Sequence, residues 1–150
     1  EHGCIYCYAR PTHAYLNLSP GLDFETKIFV KPSGPALLRR ELSKKSYTVS
    51  RIQFAGDTDI YQPVEKELRI TREILEVLSE FNHPVMLITK SALILRDLDI
   101  LAPMAEKGLV SVAISFTTLD RKLARVMEPR CAAPHRRRHQ SSRGWRCRWW

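Results

Sequence analysis

Two cysteines near the start of the chain are the residues whose type and spacing best suit metal chemistry. Cys4 and Cys7 lie three positions apart, with Tyr6 directly before the second cysteine. A single turn of backbone brings two thiols at this spacing to the same side, where both can bind one soft metal centre. By itself the pair also fits a redox dithiol, half of a zinc site or two ordinary buried thiols.

A zinc site would need further ligands, which the far end of the chain offers. Cys131, His135 and His139 follow one another at intervals of four positions. More than 120 residues separate this group from Cys7, whereas compact zinc modules close loops of about 12–20 residues. Zinc therefore remains the weaker alternative.

Strand-like and helix-like segments alternate after the cysteines, which predicts an α/β fold with a parallel sheet and outer helices. The clearest helical pattern spans residues 65–81, where apolar side chains recur at helical spacing. The predicted strands are 27–31, 51–55, 85–89 and 109–116, and the other predicted helices are 36–42, 93–107 and 119–127.

Polar residues follow three of the predicted strands directly. They occupy positions 56–59, 89–91 and 115–118. In parallel α/β folds the carboxyl ends of the strands meet at one edge of the sheet, where binding sites form. The sequence therefore predicts a site at this edge.

Composition limits the class of protein. An apolar run of about 20 residues, as a membrane span requires, is not found, so we predict no membrane association. Four cysteines in 150 residues are too few for a disulfide scaffold, which favours a reducing cytoplasm and cysteines kept for metal or redox work.

The net charge of +8 arises almost entirely from the last residues. The segment 130–150 contains seven arginines and all three tryptophans, whereas residues 1–129 hold 17 basic and 16 acidic side chains. This segment has no amphipathic period, so we predict an irregular basic tail. It fits either translation of a shifted reading frame or a basic, aromatic arm that binds nucleic acid through phosphate contacts and base stacking.

Five stretches in the body of the chain form a recognisable series: residues 2–11, 22–27, 58–63, 89–91 and 127–130. In order and content they resemble the radical S-adenosylmethionine superfamily. The similarity is to a branch grouped with the spore photoproduct lyase type of DNA-repair protein, over about residues 1–130.

The resemblance implies a core domain over residues 1–129 built as a partial (β/α) barrel of about four parallel strands. It implies a [4Fe-4S] cluster and S-adenosylmethionine as cofactors, with Cys4 and Cys7 as two of three cluster ligands. Reductive cleavage would give a 5′-deoxyadenosyl radical, with the electron supplied by a reductant such as a flavodoxin or ferredoxin. A nucleic-acid substrate is possible for such a protein.

The same resemblance assigns positions that contact S-adenosylmethionine. Tyr6 would lie near the adenine edge, and Gly56 and Asp57 would hold the methionine amino group. Thr89 and Ser115, at later strand ends, would make polar contacts to the sulfonium cofactor.

Two departures from the superfamily pattern bear on activity. The leading cysteine of the cluster loop would fall directly before Glu1, and the resemblance stops near Arg130 with about four predicted strands instead of six. We therefore expect the 150-residue chain to hold a cluster weakly and to turn over no substrate.

Overall fold

The computed structural model describes residues 1–54 and 56–131. Within them three parallel strands form an open sheet in the order β1-β2-β3. Ile52 pairs with Val85, and Val85 pairs with Val110. The strands are β1 Ile52–Phe54, β2 Val85–Thr89 and β3 Val110–Ile114.

Helices connect the strands and flank the sheet. They are α1 Leu22–Thr26, α2 Gly34–Leu42, α3 Glu65–Leu68, α4 Ile70–Glu80, α5 Leu98–Glu106 and α6 Arg121–Met127, with 3₁₀ segments at Arg10–Leu16 and Ala92–Asp97. No helix in the described ranges is long and apolar enough to cross a membrane.

The core lies between the sheet and helices α2, α4 and α5. Strand β2 is central, and its buried face carries Val85, Leu87 and Thr89 at alternate positions. Leu78 of α4 and Leu101 of α5 are fully buried in this core. Because the alternation continues to the last residue of β2, it brings the Thr89 hydroxyl to the carboxyl edge of the sheet.

Three of the four predicted strands are confirmed, and the first is wrong. Residues 27–31 have no strand partner, and Phe29 and Val30 are 65% and 46% exposed. The segment has a short apolar run but no paired neighbour, and a strand forms only where a neighbouring strand takes up its hydrogen bonds. The described residues show a three-stranded open sheet in place of four strands.

The predicted helix over residues 65–81 is also wrong in one respect, because it is broken into α3 and α4. Arg69 lies between them with φ of 56°, in the left-handed region. Two hydrogen bonds from Thr71, at the start of α4, stabilise the break. Its backbone N–H donates to the Glu65 carboxylate at 3.1 Å, and its hydroxyl donates to the carbonyl oxygen of Ile60 at 2.6 Å. Periodicity cannot detect these two contacts.

Helix α2 begins two residues before the predicted 36–42, and α6 begins two residues after the predicted start of 119–127. The predicted helix 93–107 divides into the 3₁₀ segment Ala92–Asp97 and helix α5. Pro103 lies inside α5, and Gly108 closes the following turn with φ of 69°. The predicted tail falls outside the described residues from position 132 onward.

Candidate functional site

A cleft of about 270 Å³ opens at the carboxyl edge of the sheet. It is lined by the cysteine turn, the loop after β1 and the ends of β2 and β3. Six of the seven predicted site residues line it: Cys4, Cys7, Gly56, Asp57, Thr89 and Ser115. The fold thus brings together side chains that are up to 111 positions apart in the sequence, while their individual roles stay predictions.

The cysteine pair lies on a closed turn. The Cys7 backbone N–H donates to the Cys4 carbonyl oxygen at 3.3 Å, which joins the first and last residues of the turn. Both thiols are free; Cys4 is buried, and Cys7 is half-buried. The turn is connected to β1 because the Tyr8 hydroxyl donates to the carbonyl oxygen of Gly56 at 2.6 Å.

Charged neighbours surround the Cys4 thiol. Burial raises its pKa above the ordinary value; Lys90 opposes this shift, and the Glu128 carboxylate adds to it. The Lys90 ammonium donates a hydrogen bond to Cys4 Sγ at 3.5 Å. Since a thiol must lose its proton to bind a metal, metal binding here would release a proton.

Tyr6, the seventh predicted residue, is directed toward Glu128. Its hydroxyl donates to Glu128 Oε1 and lies 2.5 Å from the Thr117 hydroxyl, which donates to the same oxygen at 2.6 Å. Burial and the hydrogen bond to Glu128 raise the pKa of Tyr6 to about 12. The phenol is therefore neutral at physiological pH and acts as a hydrogen-bond donor.

Lys90 contacts Cys4 and Tyr6 of the cysteine turn and also Glu128. Its ammonium lies 3.6 Å from Glu128 Oε1 and 5.3 Å from the centre of the Tyr6 ring. Burial by itself lowers the pKa of Lys90, but Cys4, Tyr6 and Glu128 outweigh burial and raise it, so the ammonium stays charged. From its strand-end position the sequence could suggest Lys90 but could not distinguish it from a solvated lysine.

Asp59, one of the polar strand-end residues predicted at positions 56–59, is a central residue of the cleft. One oxygen accepts the Thr89 hydroxyl at 2.6 Å and the Tyr61 N–H at 2.9 Å, while the other accepts the Lys90 backbone N–H at 2.9 Å. Burial acts to raise the pKa of Asp59, but His2 and these donors outweigh it and hold the pKa below the usual range. A carboxylate with this many donors is ionised.

His2 completes the polar wall beside Asp59. The sequence favours a surface or hydrogen-bonded histidine over a metal ligand at this position. The structure buries the residue, which is 3% exposed, and places Nε2 3.3 Å from Asp59 Oδ2. Among the described residues Nδ1 has no hydrogen-bond partner. The only sequence signal for this residue was its position two before Cys4.

The thiol donors fit the cubane implied by the resemblance in part. Cys4 and Cys7 supply two thiolates on one turn beside a polar cleft, whereas three are expected. Over residues 1–54 and 56–131, no group of three or more His, Cys, Asp or Glu side chains is placed to hold a metal ion. Among the described residues, Cys4 and Cys7 would therefore supply two of the three expected thiolates.

The tertiary structure also bears on the zinc alternative. Cys131 donates its S–H to the carbonyl oxygen of Lys90 at 3.4 Å, which places it at the same edge of the sheet as Cys4. The sequence separation used against zinc therefore does not keep Cys131 from this edge of the sheet, although Cys131 does not line the cleft. His135, His139 and the arginine- and tryptophan-rich arm lie outside the described residues.

The chain is similar to three proteins from distant organisms, each described as uncharacterized. One from Mycobacterium tuberculosis is 38% identical over 137 residues, covering 91% of this chain and 40% of that protein. One from Methanocaldococcus jannaschii is 26% identical over 86% of this chain and 45% of its own length. One from Acidianus two-tailed virus is 25% identical, with 91% and 45% covered.

The chain thus spans less than half the length of these curated relatives. No protein-family model matches it, and no solved structure does.

Proposed function

We propose that this chain is the N-terminal part of a radical S-adenosylmethionine enzyme whose cysteine turn holds part of a [4Fe-4S] cluster. The observation that carries the proposal is the shared cleft. Cys4 and Cys7 of the Cys-x-x-Cys turn line one cavity at the carboxyl edge of a parallel sheet, together with four further residues that the resemblance selects, Gly56, Asp57, Thr89 and Ser115. Sites in parallel α/β folds gather at this edge.

In this proposal each residue has a limited role. Cys4 and Cys7 would each bind one iron through a thiolate. Gly56 and Asp57, in the loop after β1, would hold the amino group of S-adenosylmethionine. Thr89 and Ser115 would contact its polar groups, and Tyr6 would lie near its adenine. The cofactors when bound supply reductive carbon–sulfur cleavage and a 5′-deoxyadenosyl radical.

The wider setting belongs to the same proposal. The three observed strands would be part of a partial (β/α) barrel that the longer relatives continue. The electron would come from a reductant such as a flavodoxin or ferredoxin in the cytoplasm. The resemblance leaves the substrate open and includes a damaged nucleic acid among the candidates.

Iron binding tests the proposal directly. Anaerobic reconstitution with ferrous iron and sulfide should give the full chain visible thiolate-to-iron absorption, and Cys4→Ser or Cys7→Ser should reduce iron per chain by about tenfold because each change removes one of two thiolates. The measurements are iron and sulfide content and the electron paramagnetic resonance spectrum after reduction.

Cys131→Ser is the matched control, since it removes a thiol from the same edge of the sheet without touching the turn. Its iron content should equal that of the unchanged chain. Equal iron content in all four proteins would sink the proposal. A loss confined to the Cys131 variant would favour the alternative site that includes Cys131.

A further inference from the structure

Arg10, three positions after Cys7, uses every N–H of its guanidinium group. Nε and Nη2 donate to the carbonyl oxygen of Cys4 at 3.2 and 3.0 Å, and Nη2 also donates to Glu25 Oε1 at 2.6 Å. Nη1 donates to the carbonyl oxygens of Pro20 and Gly21 at 3.2 and 3.3 Å. All five donors of an arginine side chain are thus engaged.

The carbonyl oxygen that Arg10 holds is the one that closes the cysteine turn. Cys4 O already accepts the backbone N–H of Cys7 at 3.3 Å. Two further donors from one planar group fix the direction of this carbonyl, and with it the backbone angle of Cys4. That angle sets where the Cys4 side chain points relative to Cys7.

The guanidinium is itself anchored from two sides. Its central carbon lies 5.4 Å from the centre of the buried Phe24 ring, which also lines the cleft. Glu25 pairs with it and also with Arg130 at 3.1 Å. The Arg10 side chain is 18% exposed, so it is far less screened by water than a surface arginine.

We propose that Arg10 is a positioning residue that sets the spacing and common direction of the Cys4 and Cys7 thiols. The inference rests on the proposed function only for the identity of the group that the two thiols bind. Lysine cannot replace arginine here, because an ammonium group has three donors at one point and cannot span Cys4 O, Glu25 and two further carbonyl groups.

A reagent that requires both thiols at once tests the inference without iron. Phenylarsine oxide forms two arsenic–sulfur bonds with a thiol pair and releases one water, so its affinity reports the spacing of the thiols. The full chain would carry Cys131→Ser and Cys147→Ser to leave one pair. Arg10→Lys should weaken binding about tenfold relative to that background, measured by competition with a small dithiol.

Arg39→Lys is the matched control, because Arg39 also forms a two-point ion pair with a carboxylate, Glu80, away from the cleft. It should leave the affinity unchanged. Hydrogen exchange should be faster at the Cys7 amide in Arg10→Lys alone. A purely structural role would lower the melting temperature while the folded chain kept its full affinity for phenylarsine oxide, and that result would overturn the inference.

If the Arg10→Lys chain does not fold, Glu25→Gln can still distinguish a positioning role from a purely structural one. It leaves the guanidinium on Cys4 but removes the charge that anchors it, so affinity should fall by a smaller factor. Unchanged affinity in this variant would also overturn the inference. Weaker arsenical binding without any iron binding by the unchanged chain would leave the inference standing and refute the cluster.

Discussion

At the scale of single residues, Asp59 is the carboxylate on which the polar contacts of the cleft converge. It accepts hydrogen bonds from the end of β2 and from its own loop, and the His2 ring at the start of the chain lies 3.3 Å away. Because the Asp59 carboxylate is largely buried, these protein groups, and not water, stabilise its ionised form.

We expect Asp59→Asn to lower the free energy of unfolding by about 2 kcal/mol at neutral pH, since the amide group places donors against donors. Asp59 has a lowered pKa in the folded chain, so its contribution is complete above the ordinary value of 3.8. That contribution is lost as the pH falls through the lower folded-state pKa. Urea denaturation at a series of pH values should show that the free energy of unfolding of the variant falls less steeply as the pH is lowered through this range.

Asp23→Asn provides the comparison, because Asp23 of α1 is less buried than Asp59, accepts one backbone hydrogen bond from Ser19 and pairs with the exposed Lys27. Its effect on the free energy of unfolding should be small. An Asp59 variant as stable as the Asp23 variant would show that the convergent contacts do not stabilise the fold.

At the scale of elements, the junction of α3 and α4 is a position where local conformation and residue type disagree. Arg69 adopts φ of 56°, which places its Cβ against the following carbonyl and is unfavourable for L-residues. Its backbone nevertheless belongs to both helices, since its N–H donates to Glu65 O and its carbonyl oxygen accepts from Glu73.

Arg69→Gly should therefore stabilise the chain by about 0.5–1 kcal/mol, because glycine adopts this conformation without steric cost. The same change at Arg40, an exposed position inside α2, should destabilise it by about 1 kcal/mol. Thermal unfolding followed by circular dichroism measures both. Two changes of the same sign would contradict the strained junction.

At the scale of the whole molecule, the first and last described segments pair with each other. The Ile5 N–H donates to Met127 O at 3.0 Å, and the Arg130 N–H donates to His2 O at 3.0 Å. Glu128 lies between these two bonds and accepts the hydroxyls of Tyr6 and Thr117. The cysteine turn thus depends on a segment more than 120 positions away.

Glu128→Gln should lower the free energy of unfolding by about 2 kcal/mol, because it leaves the Lys90 ammonium without its buried counter-charge. Hydrogen exchange at the Ile5 amide should also accelerate. Glu80→Gln, on an exposed ion pair with Arg39, should change neither quantity appreciably. If Glu128→Gln left hydrogen exchange at the Ile5 amide unchanged, the first and last described segments would not stabilise each other through Glu128.

The elements that could be predicted from sequence are those that combine a clear local pattern with neighbouring elements that pair with them or pack on them. Strand β2 is an apolar run that is paired on both sides, and it appears where predicted. The segment around Phe29 has a similar local pattern but no partner, so its strand prediction fails. Periodicity reports which residues prefer to be buried, whereas pairing depends on what lies beside them.

Spacing and element order were enough to predict the parallel α/β class and the edge of the sheet where polar residues gather. They also pointed to the cysteine turn as the candidate for metal binding. These follow from local spacing and from the order of the elements. Only the tertiary structure decided that His2, Asp59, Lys90 and Glu128 surround that turn, and that Arg10 holds its closing carbonyl. Such contacts join residues that are far apart in the sequence, and a local sequence pattern does not report which distant residues lie close together in space.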